Sequence, residues 1–412
     1  MANGRVKLSS TGIQDEFLTN TPQFTYFFKA HKQHTKFALE VIDNALDGNP
    51  EFGQTLVCTI PRKGDLIHTV YLHIELSALT SESSPSSNIG YTDAIGNAVI
   101  DYADLVIGGQ TVQRITGEYI EMYNDLYVPN SQQPALTYMS GRTGTVNGLG
   151  SATVANGYPR LFIVPLPFYF YRTEGLAVPL TSINRQEVQV RLKLKPLSKI
   201  IINVDTPTSP APSDTKGTIT KLSMPVEYVF LSDDEMKYLQ SKQFDYVISQ
   251  LQVARFTMNP GETEAQMMMQ FKNPVKELYV VIQDSTVGND MFNFKNTDTN
   301  SDQLSSLELQ FNGETRLSPD IANALYLRVV QPFTSHTKTP SRYFYTYSFG
   351  LNPENAYPSG QVNMSRIQNQ LININTTSST KSREVRIYAV NYNILRVNSG
   401  IAGVLFNDNT FI

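Results

Sequence analysis

The side chains most able to bind a metal ion or move a proton near neutral pH are histidines, and this chain has five. His31 and His34 are spaced as metal ligands can be, but Lys32 and Lys36 repel a cation and no acid or cysteine cluster accompanies them. We therefore interpret this pair as surface or interface histidines.

A second pair, His68 and His73, lies in one predicted strand. Without a bulge, their spacing places them on opposite faces, so they cannot hold one ion. Glu75 shares a face with His73, but a cupin-like site on a jelly roll needs further histidines, and none is placed to help. The sequence predicts neither a metal site nor a cofactor.

Patterns of catalytic residues are also missing. The acidic run from Ser232 to Glu235 is typical of a helix capping box rather than an acid–base site. Gly108-Gly109 lacks the Lys-Ser or Lys-Thr of a phosphate loop, and no Gly-x-Ser-x-Gly elbow occurs. We predict no catalytic residue, although a pair of carboxylates distant in the sequence stays open as an alternative.

The most distinctive loop is FGLNPENAYPSGQVNMSRI, residues 349–367. Its prolines fix the backbone, its glycines permit conformations that other residues avoid, and its asparagines can bond to their own backbone. Glu354 is its only carboxylate, so we interpret the loop as structural. The residues on which this interpretation rests are Pro358, Ser359, Gly360, Asn363, Ser365 and Arg366. Asn363 and Asn375 begin Asn-x-Ser/Thr sequons and are candidate glycosylation acceptors, of which we expect Asn375 to be exposed.

Strand patterns dominate the elements that would position these residues. VQVRLKLK, residues 188–195, alternates apolar and polar side chains, as a half-buried strand does. Helical patterns are few and short: residues 117–127, 232–240 and 319–329, the last with Pro319 at its first position. Gly108-Gly109 and Asn312-Gly313 predict tight hairpins.

The order of these elements repeats. Each half runs from a strand to a hairpin, a short helix, an aromatic strand (LPFYFY, then YFYTYSF), a Gly/Pro loop and two further strands. We predict an all-β fold of two consecutive eight-stranded antiparallel jelly rolls with a few short helices in loops. The predicted division is an N-terminal arm (1–24), a first jelly roll (25–231), a linker helix (232–242), a second jelly roll (243–400) and a C-terminal tail (401–412).

Composition narrows the function. Charged residues are 17% of the chain, against roughly 25% in an average soluble protein, which suits packing against copies of itself. The net charge is −4 with no long basic run, so we expect no direct nucleic-acid binding. The longest apolar stretch holds two prolines and is too short to span a bilayer, and the N-terminus has no signal-like apolar run.

Four segments, in order along the chain, resemble the major capsid proteins of the nucleocytoplasmic large DNA viruses. They are the opening LSSTGIQDEFLTNTPQFTYFFKAHKQHTKFALE, the hairpin and helix IGNAVIDYADLVIGGQTVQRITGEYIEMYNDL, the loop YSFGLNPENAYPSGQVNMSRI with its Pro-Ser-Gly-x-x-Asn-x-Ser-Arg core, and the closing YAVNYNILRVNSGIAGVLF. The resemblance implies a double jelly roll and homotrimeric capsomers with a pseudo-hexagonal outline, which tile an icosahedral shell above an internal membrane.

The same resemblance implies that the chain is found in the virion, is assembled in the host cytoplasm, and has itself, minor capsid proteins and penton proteins as partners. The membrane contact would be indirect, and the arm would lie on the inner face. Two other functions stay open. One is a carbohydrate-binding or receptor-attachment jelly roll, for which Tyr138, Tyr158 and Tyr357 could stack on sugars, although no tryptophan is present. The other is a jelly-roll enzyme.

Overall fold

The computed structural model describes residues 3–10, 12–29, 31–84, 89–142, 149–150, 161–203, 211–285 and 289–406. It divides into two compact units, Met1–Lys36 and Phe37–Ile412. The smaller unit contains α1 (Asn3–Ser9) and α2 (Ile13–Thr19), and the side chains described in its helices are exposed. Its aromatic residues Phe17, Phe24 and Phe27 are among the most exposed apolar side chains of the protein.

The first half of the larger unit is built from antiparallel strands in two main sheets. One sheet has the order β1-β12-β3-β8, with β9 also beside β3, and the other has the order β2-β10-β5-β6. A small third sheet has the order β11-β4-β7. The strands are β1 (Phe37–Ala45), β2 (Thr55–Thr59), β3 (Leu66–Leu76), β4 (Ile89–Tyr91), β5 (Ile100–Ile107), β6 (Gln110–Thr116), β7 (Leu149–Gly150), β8 (Leu161–Pro165), β9 (Val178–Pro179), β10 (Val188–Leu194), β11 (Ile201–Asn203) and β12 (Ile219–Leu231).

The second half repeats this arrangement. Its sheets have the orders β13-β21-β15-β18 and β14-β20-β16-β17, with β19 beside β15 and β22 beside β21. The strands are β13 (Phe244–Met258), β14 (Glu264–Met269), β15 (Pro274–Asp284), β16 (Leu304–Phe311), β17 (Glu314–Leu317), β18 (Tyr345–Ser348), β19 (Val362–Asn363), β20 (Gln370–Thr376), β21 (Arg383–Asn398) and β22 (Ile401–Val404). Within the described residues each half therefore has eight main strands in the same order, and the predicted double jelly roll is confirmed.

Short helices connect the strands. In the larger unit they are α3 (Ile95–Ala98), α4 (Gly117–Tyr127), α5 (Gln133–Ser140), α6 (Asp233–Ser241) and α7 (Gln331–Ser335), with a π-helical segment, Tyr326–Val330, directly before α7. Single 3₁₀ turns occur at Glu174–Leu176, Leu197–Lys199 and Met364–Arg366. The helix α6 links β12 of the first jelly roll to β13 of the second.

The local sequence explains the position of several strands and turns. In β10 the four apolar side chains of the alternating pattern are buried and the polar ones are half-buried. Both residues of Gly108-Gly109 and of Asn312-Gly313 have positive φ, between 53° and 84°. A two-residue hairpin of the I′ type requires positive φ at both central positions, so these pairs set the register of β5 with β6 and of β16 with β17.

The sheet that contains β15 and β21 is covered on both faces. Leu278, Val280 and Ile282 of β15 pack in the core of the second jelly roll. Tyr279 and Val281 of the same strand belong instead to the apolar cluster of the first jelly roll. The two jelly rolls therefore share one continuous buried layer, with this sheet at its centre.

Four local predictions are wrong. The aromatic segment LPFYFY is not a strand, because Pro165 and Pro167 lack the N–H that a ladder needs, and β8 ends at Pro165. The third predicted helix does not begin at Pro319, because Asn323 caps the helical segment by accepting a hydrogen bond from the Tyr326 N–H at 2.9 Å.

The other two concern α6 and β3. Ser232 is the N-cap residue of α6, but its side chain makes no capping hydrogen bond, so the predicted capping box is not formed. A register shift in the pairing of β3 with β12, between Glu227 and Tyr228, places His68 and His73 on the same half-buried face instead of opposite faces. Residues 401–404 of the predicted tail form β22.

We expect Gly117→Ala to destabilise the protein strongly. A Cβ atom at this position would lie 2.1 Å from the carbonyl oxygen of Asn97 and 2.5 Å from that of Ile100, and backbone atoms cannot move aside cheaply. Overpacking typically costs about 1 to 3 kcal/mol, and two clashes with backbone oxygens place this one at the upper end. Thermal unfolding of the purified protein measures the effect. Gly175→Ala is the matched control because no atom lies within 4 Å of its Cβ position, and an equal loss in both variants would contradict the prediction.

Candidate functional site

The loop singled out in the sequence is held by hydrogen bonds within itself and to β15. Its Ser359 hydroxyl accepts a hydrogen bond from the Asn352 N–H at 2.9 Å, and the Leu351 N–H donates to the Ser359 carbonyl at 3.3 Å. Gly360 has a φ of +142°, and a Cβ there would lie 2.8 Å from the Phe349 carbonyl oxygen. Only glycine fits this crossing of the loop over its own start.

The second half of the loop joins the beginning of β15. Asn363 pairs with Pro274 in the short strand β19. The Ser365 hydroxyl accepts a hydrogen bond from the Asn273 N–H at 2.7 Å, and the Asn363 side chain accepts one from the Ser365 N–H at 3.1 Å. Pro358 and Arg366 are exposed. These contacts are structural, and none of them assembles groups for catalysis.

Glu354, the only carboxylate of the loop, is held by Thr337. It accepts hydrogen bonds from the N–H and the hydroxyl of Thr337. Beside it, the buried amine of Lys276 donates to the Pro353 carbonyl at 2.6 Å. The loop is thus attached both to β15 and to the segment after α7.

Under this loop lies a buried polar contact between the two jelly rolls. The Glu277 carboxylate of β15 accepts a hydrogen bond from the Tyr127 hydroxyl of α4 at 3.0 Å and lies 3.0 Å from His336 Nε2. Burial opposes ionisation of Glu277, but His336 and Lys276 outweigh it and hold its pKa below the ordinary value. The carboxylate therefore stays charged in the interior.

The helix α4 carries a stripe of acids toward the second jelly roll, and Asp125 is its centre. One Asp125 oxygen accepts from Arg142 and from Lys338, each at 2.8 Å. The other accepts from the backbone N–H groups of Ser341 at 2.7 Å and Arg342 at 2.9 Å. The segment 338–342 is thereby fixed against a helix of the first jelly roll.

Two further acids of α4 continue the stripe. Glu121 accepts from Arg142 at 2.7 Å and from Arg342 at 3.1 Å. At the N-terminal end of the helix, Glu118 lies 2.9 Å from the Arg386 guanidinium and accepts from the Tyr388 hydroxyl at 2.8 Å, both in β21. This acidic stripe, which we define as Glu118, Glu121 and Asp125, spans the contact between the jelly rolls.

Sequence reasoning missed the acidic stripe. The sequence predicts an apolar face of α4 made of Tyr119, Met122, Tyr123 and Leu126, and of these Tyr123 is half-buried and the other three are buried. The signal for the stripe was present, because acids at positions i, i+3 and i+7 share one face of a helix. Such a face is ordinarily solvated, and its burial depends on basic residues far away in the sequence.

The candidate metal ligands are not brought together. His68 Nδ1 lies 2.7 Å from Glu227, whereas His73 Nδ1 lies 3.3 Å from the Ser223 hydroxyl. His31 and His34 are exposed in the smaller unit. Among the described residues, no group of three or more His, Cys, Asp or Glu side chains is placed to hold a metal ion.

The sugar-binding and glycosylation candidates have different environments. Tyr138 and Tyr357 are exposed, and Tyr158 lies outside the described residues. Asn363 is exposed. Asn375, expected to be exposed, is half-buried in β20, because that strand is paired on both sides and its amide donates to the Ser306 hydroxyl at 3.0 Å.

The strand β1 presents an apolar surface to solvent. It pairs with β12 along one edge, and its Phe37, Leu39 and Val41 side chains are 54%, 53% and 57% exposed. These three side chains form what we call the β1 stripe.

In the described part of the chain, no helix has the length and apolar character required to cross a membrane.

We expect Asp125→Asn to destabilise the protein by about 3 kcal/mol near neutral pH, because it leaves buried cations without their partner. Burial opposes ionisation of Asp125, but Arg142 and Lys338 hold its pKa below the ordinary value. The ionised carboxylate thus contributes stability above the ordinary carboxyl pKa of about 4, and this contribution is lost as the pH falls through the folded-state value.

Thermal unfolding of wild type and Asp125→Asn from pH 7 to about pH 3 tests this linkage. The gap between their midpoints should be largest near neutral pH and should narrow as the solution is acidified. Asp245→Asn removes an exposed partner of Arg396 and should change little. A gap that does not depend on pH would refute the assigned role of the Asp125 charge.

Two family models match the chain. "Major capsid protein N-terminus" matches residues 25–232, and "Large eukaryotic DNA virus major capsid protein" matches residues 235–403. The major capsid protein of Pyramimonas orientalis virus is 30% identical over 435 residues, which cover 99% of this chain and 100% of that protein. The major capsid protein of Paramecium bursaria Chlorella virus 1 is 27% identical over 460 residues, with 98% and 100% covered.

Solved structures agree in fold. VP54 of PBCV-1 superposes with a TM-score of 0.77 at 24% identity, over 93% of this chain and 100% of that chain. The Faustovirus major capsid protein has a TM-score of 0.75 at 13% identity, with 96% of each chain covered. The prediction of a structural capsid protein rather than an enzyme agrees with these relatives. The chain belongs to the family of large eukaryotic DNA virus major capsid proteins, and it is a structural protein of the viral capsid.

Proposed function

We propose that three copies of this chain associate into a homotrimeric capsomer with a pseudo-hexagonal outline, and that these capsomers tile the icosahedral shell of a large DNA virus. The observation that carries the proposal is the pair of jelly rolls with the same strand order, joined through one buried layer. Three chains related by a threefold axis would present six similar jelly rolls, which suits hexagonal packing.

The β1 stripe supports self-association. Exposed apolar side chains in a row on an edge strand commonly mark a contact with another chain. A neighbouring copy that covers Phe37, Leu39 and Val41 would remove this apolar surface from water. The low fraction of charged residues, 17%, reduces repulsion between identical copies.

A capsomer in an icosahedral shell also contacts other proteins of the virion. We infer contacts with neighbouring capsomers and with minor capsid and penton proteins, and an indirect relation to an internal membrane. The exposed apolar side chains of the smaller unit, such as Phe17 and Phe24, suit a segment that is covered only in the assembled shell. We place the protein in the virion and its assembly in the host cytoplasm.

The solution mass of the purified protein tests the trimer. We expect light scattering or native mass spectrometry to give about three times 46.1 kDa. Leu39→Asp should shift the protein toward monomer, because it places a carboxylate in the apolar contact. Tyr238→Asp, at a similarly exposed residue of α6, is the control. A wild-type monomer would overturn the trimer, and a Leu39→Asp trimer would exclude the β1 stripe as its contact.

The role of the arm has a separate test. We expect deletion of residues 1–24 to leave the trimer intact and to weaken shell assembly, because the described part of this segment belongs to the smaller unit, Met1–Lys36, and not to the unit that contains the jelly rolls. Trimer mass is measured by light scattering, and particle yield by electron microscopy after co-expression with the other shell proteins. Dissociation of the truncated protein into monomers would show that the arm holds the trimer instead.

A further inference from the structure

A cavity of about 910 Å³ lies between the two jelly rolls, and the capsid role does not explain it. The first jelly roll contributes Lys195 and Lys199, which follow β10, and the second contributes Arg255 of β13 and Arg383 of β21. Asp284, at the end of β15, also lines it. The distinctive loop pairs with the opposite end of β15, so the cavity and that loop are about 30 Å apart along the strand.

The cavity is more basic than its surroundings. Its described lining has six basic and four acidic side chains, although the whole chain has a net charge of −4. The basic residues are Lys193, Lys195, Lys199, Arg255, Arg383 and Arg386, and the acidic ones are Asp101, Glu118, Asp284 and Glu384. An excess of cations in a concave site raises the local concentration of anions.

Most of the acids already have cationic partners. Lys193 lies 3.4 Å from Asp101, and Arg386 lies 2.9 Å from both Glu118 and Glu384. Asp284 accepts hydrogen bonds from the N–H and the hydroxyl of Thr297, each at 2.7 Å. Lys195, Lys199 and Arg255 form no ion pair with these acids, whereas Arg383 is paired in register with Asp284 across β15 and β21.

Among the described residues, Lys195, Lys199, Arg255 and Arg383 form no ion pair. The Lys195 amine lies 3.6 Å from the sulfur of Met291, a weak acceptor. Arg383 is 0% exposed, and its guanidinium donates to the carbonyls of Thr377 and Glu262, but its Nε is buried without an acceptor. Because Arg383 is not accessible from the cavity, it adds positive charge behind the wall and does not touch a ligand.

The lowered pKa of the Lys195 amine is consistent with an anion-binding role of this cavity. Burial lowers the pKa of its amine, and the nearby carboxylate of Glu118 compensates only in part. An anion beside Lys195 would favour the charged amine. Arg255, in contrast, is exposed at the rim of the cavity, where it can meet an incoming ligand.

We propose that this cavity binds a small molecule carrying phosphate or sulfate groups, held by Lys195 and Lys199 from one jelly roll and by Arg255 from the other. The volume exceeds that of a single phosphate ion, so the cavity has room for a ligand with two oxyanion groups. Because the cations come from both jelly rolls, the bound oxyanion stabilises their contact. This inference goes beyond the capsomer role and does not depend on the trimer.

Isothermal titration calorimetry of the purified full-length protein with inorganic pyrophosphate tests the site. We expect a Kd below about 1 mM at low salt, with weaker binding as NaCl is added. Arg255→Gln should weaken binding roughly tenfold, since it removes a charge-assisted hydrogen bond. Lys195→Gln should have a similar effect. Lys221→Gln, at an exposed residue of β12, is the control and should bind as wild type does.

A sulfated disaccharide, titrated in parallel, separates the two sources of oxyanion. Binding of pyrophosphate alone assigns a phosphate ligand, and binding of the disaccharide alone or more tightly assigns a sulfated sugar. No binding of either at about 10 mM would overturn the proposal, and so would equal affinity in wild type and Arg255→Gln. Because Arg255 is exposed, its substitution leaves folding intact, and the test stands even where Lys195→Gln alters stability.

Discussion

The architecture depends on one sheet that is buried on both faces. The strands β15 and β21 pack into the core of their own jelly roll on one side and against the first jelly roll on the other. A sheet in a sandwich ordinarily has one solvated face. Here that face is covered by α4 and its neighbours, so the two jelly rolls behave as a single structural unit from Phe37 onward.

Polar groups are buried where this face is covered. The carboxylates of the acidic stripe of α4 are paired there with cations and hydroxyls. Each of its carboxylates meets a cation or hydroxyl supplied by the second jelly roll, as Asp125 does with Lys338 and Glu118 with Arg386. Charges buried with partners fix one relative position of two surfaces, whereas apolar contacts alone tolerate sliding. The stripe therefore specifies how the two jelly rolls dock.

The elements that sequence predicted well are those determined by near neighbours. The alternating pattern of β10 and the glycine-containing turns depend only on residues close in the sequence, and both were predicted from it. What was missed depends on distant partners. The bulge that turns His68 and His73 to one face arises from pairing with β12, and the burial of Asp125 depends on residues after position 337. The distinctive loop was predicted to be structural, but its anchor on Asn273 could not be located from its own residues.

The spacing of these partners along the chain has a consequence for synthesis. Asp125 and Arg342 are 217 residues apart, so at typical translation rates about 10 to 40 s pass between their appearance. Within that interval the last strands of the first jelly roll, up to β12, are completed, whereas Lys338, Arg342 and β21, which cover α4, are made only at its end or later. We expect the nascent first half to expose this helix to water and to other chains, so the order of synthesis makes α4 the surface most in need of protection before the second half arrives.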